Sequence, residues 1–180
     1  MSFWQPVPTS RRRQRRRRVW IIAAISSVAG IALATSYWGG ITPHIVYNAS
    51  ASAPLGFYHV RPIKALNRGD LVLMTTPELV RDMADRRRYL PATVPMIKTV
   101  AALAGDEVCA SDHRILINGR PVATRQRHDA MSRPLPHWNG CHHLRSDEFF
   151  PLNTDAPHSF DGRYFGVVSV ALIQGKLNPL

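Results

Sequence analysis

Val94-Pro95-Met96-Ile97-Lys98-Thr99-Val100 is the stretch on which the reading of this chain turns. Successive side chains of a strand alternate between faces, so Lys98 shares a face with Met96 and Val100. Apolar neighbours strip solvation from an ammonium, disfavour its charged form and lower its pKa, and a lysine so placed becomes a general base near neutral pH. The competing reading is an ordinary strand lysine whose stem lies on the apolar face while its ammonium snorkels to water.

A base needs a nucleophile, and Asn48-Ala49-Ser50-Ala51-Ser52-Ala53-Pro54-Leu55-Gly56-Phe57-Tyr58 offers two serines one residue apart. Pro54 fixes its own φ and pushes Ala53 into extended geometry, and Gly56 permits a sharp reversal, so Ser52 stands on a stiff turn. A serine hydroxyl attacks a carbonyl only when a neighbouring group takes its proton. Either serine can be the nucleophile on composition alone; the turn favours Ser52, next to Ala-Pro.

Between and beyond these stretches the chain reads as short strands. Gly56–Val60 and Asp70–Met74 are expected strands, separated by a turn at 67–70. Thr75-Thr76-Pro77-Glu78 looks like a helix start with a capping threonine, and Leu79, Val80 and Met83 give the helix that ends before Pro91 a one-sided apolar stripe. Ala104-Gly105-Asp106-Glu107 turns the chain, and Val108–Ala110 and Ile115–Ile117 are further strands. Asn118-Gly119 signals a hairpin. Residues 124–146, rich in Arg, His and Pro, are expected to be a long loop, Phe149–Leu152 a strand, and Tyr164–Ile173 another. The fold class expected is mainly β and antiparallel.

Charge and hydropathy set the compartment. Of 23 Lys and Arg, seven fall in Arg11–Arg18, and removing them from the net charge of +11 leaves +4. The basic character is therefore local. Val19–Trp38 follows with 20 uncharged residues, as a helix roughly 30 Å long, enough for a bilayer core. Trp20, Tyr37 and Trp38 stand at its ends, where interfacial aromatics belong. This argues against a nucleic-acid arm and for a signal anchor: a cytoplasmic basic tail at 1–18, a transmembrane helix at 19–38, and an exported, periplasmic domain at 39–180. Ala32-Leu33-Ala34 has the form of a signal-peptide cleavage site, but the apolar run is longer than such a segment needs. Trp4–Pro8 is expected to be disordered, and the cluster Gly39-Gly40-Ile41-Thr42-Pro43 to end the helix.

An even cysteine pair in an exported domain is a disulfide candidate, so Cys109 and Cys141 are expected to bond, with two unpaired buried thiols as the other reading. Cys141-His142-His143 with Asp147 lacks the second spaced pair of a zinc site, and no metal is expected. His158 beside Ser159 and Asp161 suggests a Ser-His-Asp triad, but neighbouring residues of a strand point to opposite faces.

Ser-x-Ser followed by Pro, then a lysine strand before Gly-Asp, then Ser159-Phe160-Asp161-Gly162-Arg163-Tyr164-Phe165-Gly166, in that order, resemble the signal peptidase I family of membrane-anchored serine-lysine proteases. The likeness is greater to its TraF branch, the conjugative-transfer peptidases that mature pilin. It covers the anchor and nearly all of residues 46–173. The resemblance implies a signal-peptidase-like β domain behind one N-terminal transmembrane helix, with Ser52 as nucleophile and Lys98 as general base. It also implies Ser50, with the Ser52 N–H, as the oxyanion hole, Ser159 as the group orienting the lysine, Asp161 and Arg163 as a supporting ion pair, and Gly105-Asp106 as the turn after the lysine strand. Gly162 stands where the family often has serine.

On this resemblance the chain is a serine endopeptidase at the inner membrane that processes a pilin or other exported precursor, and in the TraF branch the product can be closed head to tail. Cytoplasmic-membrane lipid and conjugative pilus assembly components are the further partners expected, with no nucleic acid and no cofactor. The rival readings are a general signal peptidase I that removes leader peptides, and a catalytically inactive β scaffold for pilus assembly.

Overall fold

The computed structural model describes the backbone of residues 9–38 and 43–180, and side chains over 13–31 and 43–180. The chain divides into two compact units, Met1–Ile41 and Thr42–Leu180. In the first, one helix α1 (Thr9–Trp38) runs through both the arginine block and the apolar run. Its apolar side chains Val19, Trp20, Ile22, Ile25, Val28 and Ile31 are exposed. Among the described residues no helix is long and apolar enough to cross a membrane. The apolar run expected to span at 19–38 continues past Ile31, the last residue of α1 with a described side chain. Trp4–Pro8 and most of the breaker cluster, 39–42, lie outside the described residues.

The second unit is mainly β, and every strand pair in it is antiparallel. Its larger sheet is built from β1 (Ile45–Asn48), β2 (Gly56–Arg61), β3 (Leu71–Met74), β4 (Met96–Leu103), β9 (Glu148–Pro151), β10 (Val168–Ser169) and β11 (Ile173–Pro179). The spatial order is β1-β2-β11-β3-β4-β9-β10. Four strands, β5 (Glu107–Ser111), β6 (Arg114–Ile117), β7 (Arg120–Thr124) and β8 (Gly140–His143), form a smaller sheet in the order β7-β6-β5-β8.

Strand β4 is the joint of the larger sheet. Its first half, 96–99, pairs with β3, and its second half, 100–103, with β9, the register shifting between Val100 and Ala102. Burial alternates strictly along it, with Met96, Lys98, Val100 and Ala102 facing inward. Met96 and Val100 pack with Val72, Met74, Val80, Phe149 and Phe165, while Ala102 joins Val108, Ile115, Phe150 and Leu152. A single strand thus feeds both main cores, because period-two alternation over eight residues keeps one face inward throughout, apolar except at Lys98. β6 and β7 meet at the expected hairpin, where Asn118 (φ 51°) and Gly119 (φ 75°) take the positive φ that this tight turn requires.

Three expectations are corrected. The strand expected over Tyr164–Ile173 is instead a helical turn, α3 (Gly162–Phe165), the short β10, and a 3-10 turn at Val170–Leu172. The cause is Asp161, whose carboxylate accepts the Arg163 N–H at 3.2 Å and starts the turn. Residues 161–166 are all buried, and burial on every side hides the period that would separate helix from strand. The long loop expected at 124–146 contains β8, which is held to β5 by a disulfide between the directly opposed Cys109 and Cys141. Its polar sequence carries no alternation. Finally, helix α2 (Glu78–Arg86) is capped by Pro77 without any side-chain hydrogen bond, so Thr76 and Thr75 are not its cap. Val80 and Ala84 are its buried residues, and Leu79 is 86% exposed.

Gly162 is a packing requirement. A Cβ there would lie 2.6 Å from the Pro151 carbonyl oxygen and 2.7 Å from the Phe150 ring. The backbone and ring around Gly162 therefore leave no room for a serine side chain. Gly162→Ser is expected to lose about 1–3 kcal/mol of unfolding free energy by overpacking, read as a lower denaturant midpoint at unchanged m-value.

Candidate active site

The Ser50/Ser52 turn is the loop of a hairpin. β1 and β2 pair in register from Ile45↔His59 to Asn48↔Gly56, and residues 49–55 close the end. The loop is held from inside by buried Asn48. Its Nδ2 lies 3.0 Å from each of the carbonyls of Ser50, Ala53 and Pro54, and its Oδ1 accepts from the Ser50 N–H (3.1 Å) and the Ser50 hydroxyl (3.0 Å). Tyr58 adds a bond from its hydroxyl to the Pro54 carbonyl at 2.7 Å. Ser50 and Ser52 hydroxyls are 2.9 Å apart. One asparagine at a hairpin base thus satisfies carbonyls that a seven-membered loop would otherwise leave without partners.

Lys98 is 4% exposed, and its Nζ donates to Ser159 Oγ at 2.8 Å. Burial pushes the ammonium down to about 8; the Asp161 carboxylate partly opposes that shift and the Arg163 guanidinium adds to it. The lysine therefore does not snorkel. Ser159 is itself buried, and its N–H is held by the Ala156 carbonyl at 3.0 Å. It sits in a turn ahead of α3.

Asp161 and Arg163 form a buried ion pair, Nε to Oδ1 at 2.8 Å and Nη2 to Oδ2 at 3.1 Å. Nη2 also reaches the carbonyls of Asn153 (2.8 Å) and Ala156 (3.1 Å), and Nη1 those of Pro157 (2.8 Å) and Thr124 (3.5 Å). One cation therefore shapes the segment 153–159 that carries Ser159. Gly105 is a positive-φ turn residue, φ 88°. Asp106 beyond it is paired with Arg68, at 2.6 and 2.7 Å, and accepts from the Leu103 N–H and Asn118 Nδ2. The Arg68 bond, with those of Leu103 and Asn118, holds its carboxyl down to about 2. This pair fastens the turn after β4 and touches neither serine.

The sequence reasoning missed Asn48 and Asn153. Asn153 is buried; its Oδ1 accepts from Thr99 N–H at 2.8 Å, and its Nδ2 donates to the Ser52 carbonyl at 2.5 Å and the Ile97 carbonyl at 3.3 Å. Nothing in a single asparagine after a strand distinguishes it from a turn residue. Among the described residues no hydrogen bond joins Ser52 to Lys98; the hydroxyl is on Ser50, the ammonium on Ser159, and Asn153 links the two backbones. His158 turns away to Gln126, its Nδ1 3.2 Å from Nε2, and is not part of a triad. His142 pairs with Glu148 (2.8 Å) and His143 with Glu107 (3.1 Å), so the two histidines do not converge. Glu107, Cys109 and Cys141 lie together, but both sulfurs are in the disulfide and offer no thiolate.

A buried lysine of lowered pKa beside a hydroxyl, on a strand that Asn153 links to the serine turn, is equipped for proton transfer. The model of the family described as "Signal peptidase, peptidase S26" matches residues 17–179. The chain belongs to that signal peptidase family. It is 30% identical over 169 residues to a plasmid transfer protein TraF of Escherichia coli, covering 88% of this chain and 94% of that one. It is 31% identical over 170 residues to a conjugal transfer protein TraF of Agrobacterium tumefaciens (strain 15955), covering 87% and 90%. A crystal structure of a signal peptidase I from Enterococcus faecalis V583 is similar at 21% identity with a TM-score of 0.39, over 64% of this chain and 99% of that one.

The Lys98 shift makes a stability prediction free of any substrate. Its folded pKa, about 8, lies below the unfolded 10.5, so between those values the unfolded chain binds more protons and stability rises with pH. Relative to Lys98→Met, the wild-type domain should gain about 3 kcal/mol of unfolding free energy from pH 8 to pH 10.5. Parallel denaturant titrations of the two proteins across that range check it, and a constant difference would contradict it.

Proposed function

We propose that this chain is a membrane-anchored serine endopeptidase that processes the pilin precursor of a conjugative transfer system, with Ser52 as nucleophile and Lys98 as general base. The observation that carries the reading is Lys98: a lysine in an apolar strand face, held by Ser159, with its proton affinity lowered to about 8. Burying an amine this deeply costs stability, and a role in proton transfer accounts for its retention. The names of the TraF relatives support conjugative transfer as the setting. The uncharged run at 19–38 behind seven arginines supports an anchor with its N-terminus inside and residues 39–180 in the periplasm.

In the reaction, the Ser52 hydroxyl leaves Ser50 by rotation about χ1, and neutral Lys98 Nζ takes its proton as Oγ attacks the scissile carbonyl. That step brings the two side chains into the hydrogen bond absent from the resting arrangement, as catalytic contacts often tighten only with substrate. The oxyanion forms opposite the Ser52 N–H and the Ser50 hydroxyl, donors whose value is greatest where charge develops. Ser50 is then free to turn its hydrogen from Asn48 or Ser52 to the oxyanion. Lys98 passes the proton to the leaving amine, and the acyl-enzyme is released by water as a linear product or by the pilin's own N-terminal amine as a circular one. Ser159 keeps Nζ aimed throughout. Asp161 raises the lysine's proton affinity and Arg163 lowers it, so the pair also tunes the base.

The test is the intact mass of the co-expressed pilin from cells carrying wild type, Ser52→Ala or Lys98→Ala. Precursor should persist with both variants, and a wild-type product one water lighter than the linear form would identify cyclisation; unchanged processing in both variants would sink the catalytic reading. With purified enzyme, activity should rise with pH as Lys98 deprotonates, with a midpoint near 8. A profile flat from pH 6 to pH 10 would remove Lys98 as the base.

A further inference from the structure

We propose that Asn153 is a positioning residue of this hydrolytic site, whose single carboxamide ties the Ser52 carbonyl to the backbone on either side of Lys98 and so sets the nucleophile against the base.

The place for this amide is created by the sheet. Strand β9 pairs with β4 only as far as Pro151↔Val100, after which the Leu152 N–H bonds to the Thr99 carbonyl at 2.9 Å and the chain turns away. On that side β4 would present the Ile97 carbonyl and the Thr99 N–H unpaired, immediately before and after Lys98. The Asn153 side chain completes the ladder there, accepting from Thr99 at 2.8 Å and donating toward Ile97 at 3.3 Å. Its second Nδ2 hydrogen goes to the Ser52 carbonyl at 2.5 Å. Two carbonyls on one side and one N–H on the other fix the orientation of the amide.

The geometric consequence falls on Ser52. Pinning its carbonyl sets its ψ, and with it the direction in which the Cα–Cβ bond carries Oγ relative to β4. Asn48 shapes the loop from within, but its bonds run to residues 50–54 of the same hairpin and cannot place that hairpin against the lysine strand. Asn153 is the residue that does. Its backbone is fixed in turn: its N–H donates to Asp161 Oδ2 at 3.1 Å and its carbonyl accepts from Arg163 Nη2 at 2.8 Å. The serine turn, the lysine strand and the buried ion pair therefore meet at one residue.

Neither aspartate nor alanine keeps the three contacts. Aspartate retains an acceptor for Thr99 but turns an oxygen toward two carbonyls; alanine loses all three; glutamine keeps the chemistry one methylene out of place. The inference rests on the Ser52/Lys98 reading above, so the experiment runs full-length wild type, Ser52→Ala, Asn153→Ala, Asn153→Asp and Asn153→Gln side by side in detergent on the precursor that wild type cleaves. Folded fraction comes from near-UV circular dichroism, and Lys98 ionisation from the 13Cε signal of labelled lysine. Expected for Asn153→Ala is a loss of about 10²-fold in kcat per folded enzyme with KM within about three-fold, the scale of an ångström of misplacement, and an unmoved Lys98 midpoint. In Asn153→Asp the loss is similar and the added carboxylate raises the Lys98 midpoint. Asn153→Gln should recover part of kcat. A folded Asn153→Ala enzyme within three-fold of wild type in kcat, or a loss that tracks folded fraction alone, overturns the inference while a dead Ser52→Ala leaves the site reading standing. An active Ser52→Ala overturns both.

Discussion

The Asp161–Arg163 ion pair, buried and fully hydrogen-bonded, is the interaction on which the candidate site depends. A guanidinium out of water needs a partner for its charge and an acceptor for its donors, or it costs several kcal/mol. Here the charge is met by Asp161 and the donors by the carbonyls of Asn153, Ala156 and Pro157. Satisfying one cation thus dictates the path of a whole loop, and that loop presents Ser159 to the lysine and Asn153 to the serine. The same carboxylate starts α3 and holds the Asn153 N–H. These contacts all fall within residues 153–163, whereas the groups the loop meets, Lys98 and Ser52, lie 61 and 101 positions away from Ser159 and Asn153.

Around that pair, the molecule spends its polar burial in one region. Lys98, Ser159, Asp161, Arg163, Asn153 and Asn48 account for most of the buried polar residues, while Asp106 and Arg125 serve turns elsewhere. Low polarity nearby strengthens each hydrogen bond and also penalises the ammonium, so the arrangement that makes the loop rigid lowers the proton affinity of the lysine and leaves more of it neutral, able to accept a proton near pH 8. Rigidity and reactivity come from the same burial. The serine turn has a different construction, a hairpin loop filled by an asparagine, and joins the rest through the Asn153 amide.

Several features were legible in the residues. Alternation put Lys98 on the face of Met96 and Val100, and the structure buries all three. Strands β2 to β7 and β9 fall close to where alternation and turn residues place them, and Asn118-Gly119 makes its hairpin. The strand expected from Tyr164 failed because the segment is buried on all sides, and β8 went unseen because its residues are polar and are held by a covalent link across strands. β11 sits between β2 and β3, yet Gln174, Gly175, Lys176 and Asn178 give it no apolar period.

By itself the sequence determined the β class, the amphipathic setting of Lys98, the stiff Ser52 turn and the order of motifs that belongs to the signal peptidase family. These are local properties, fixed by φ restriction, period-two alternation and solvation of single side chains. Only the tertiary structure decided that Ser159 meets Lys98 across 61 positions and that Asn153 meets Ser52 across 101. An asparagine is chosen there by unpaired backbone groups at a gap between β4 and β9, and a gap in a sheet exists only after the strands have paired.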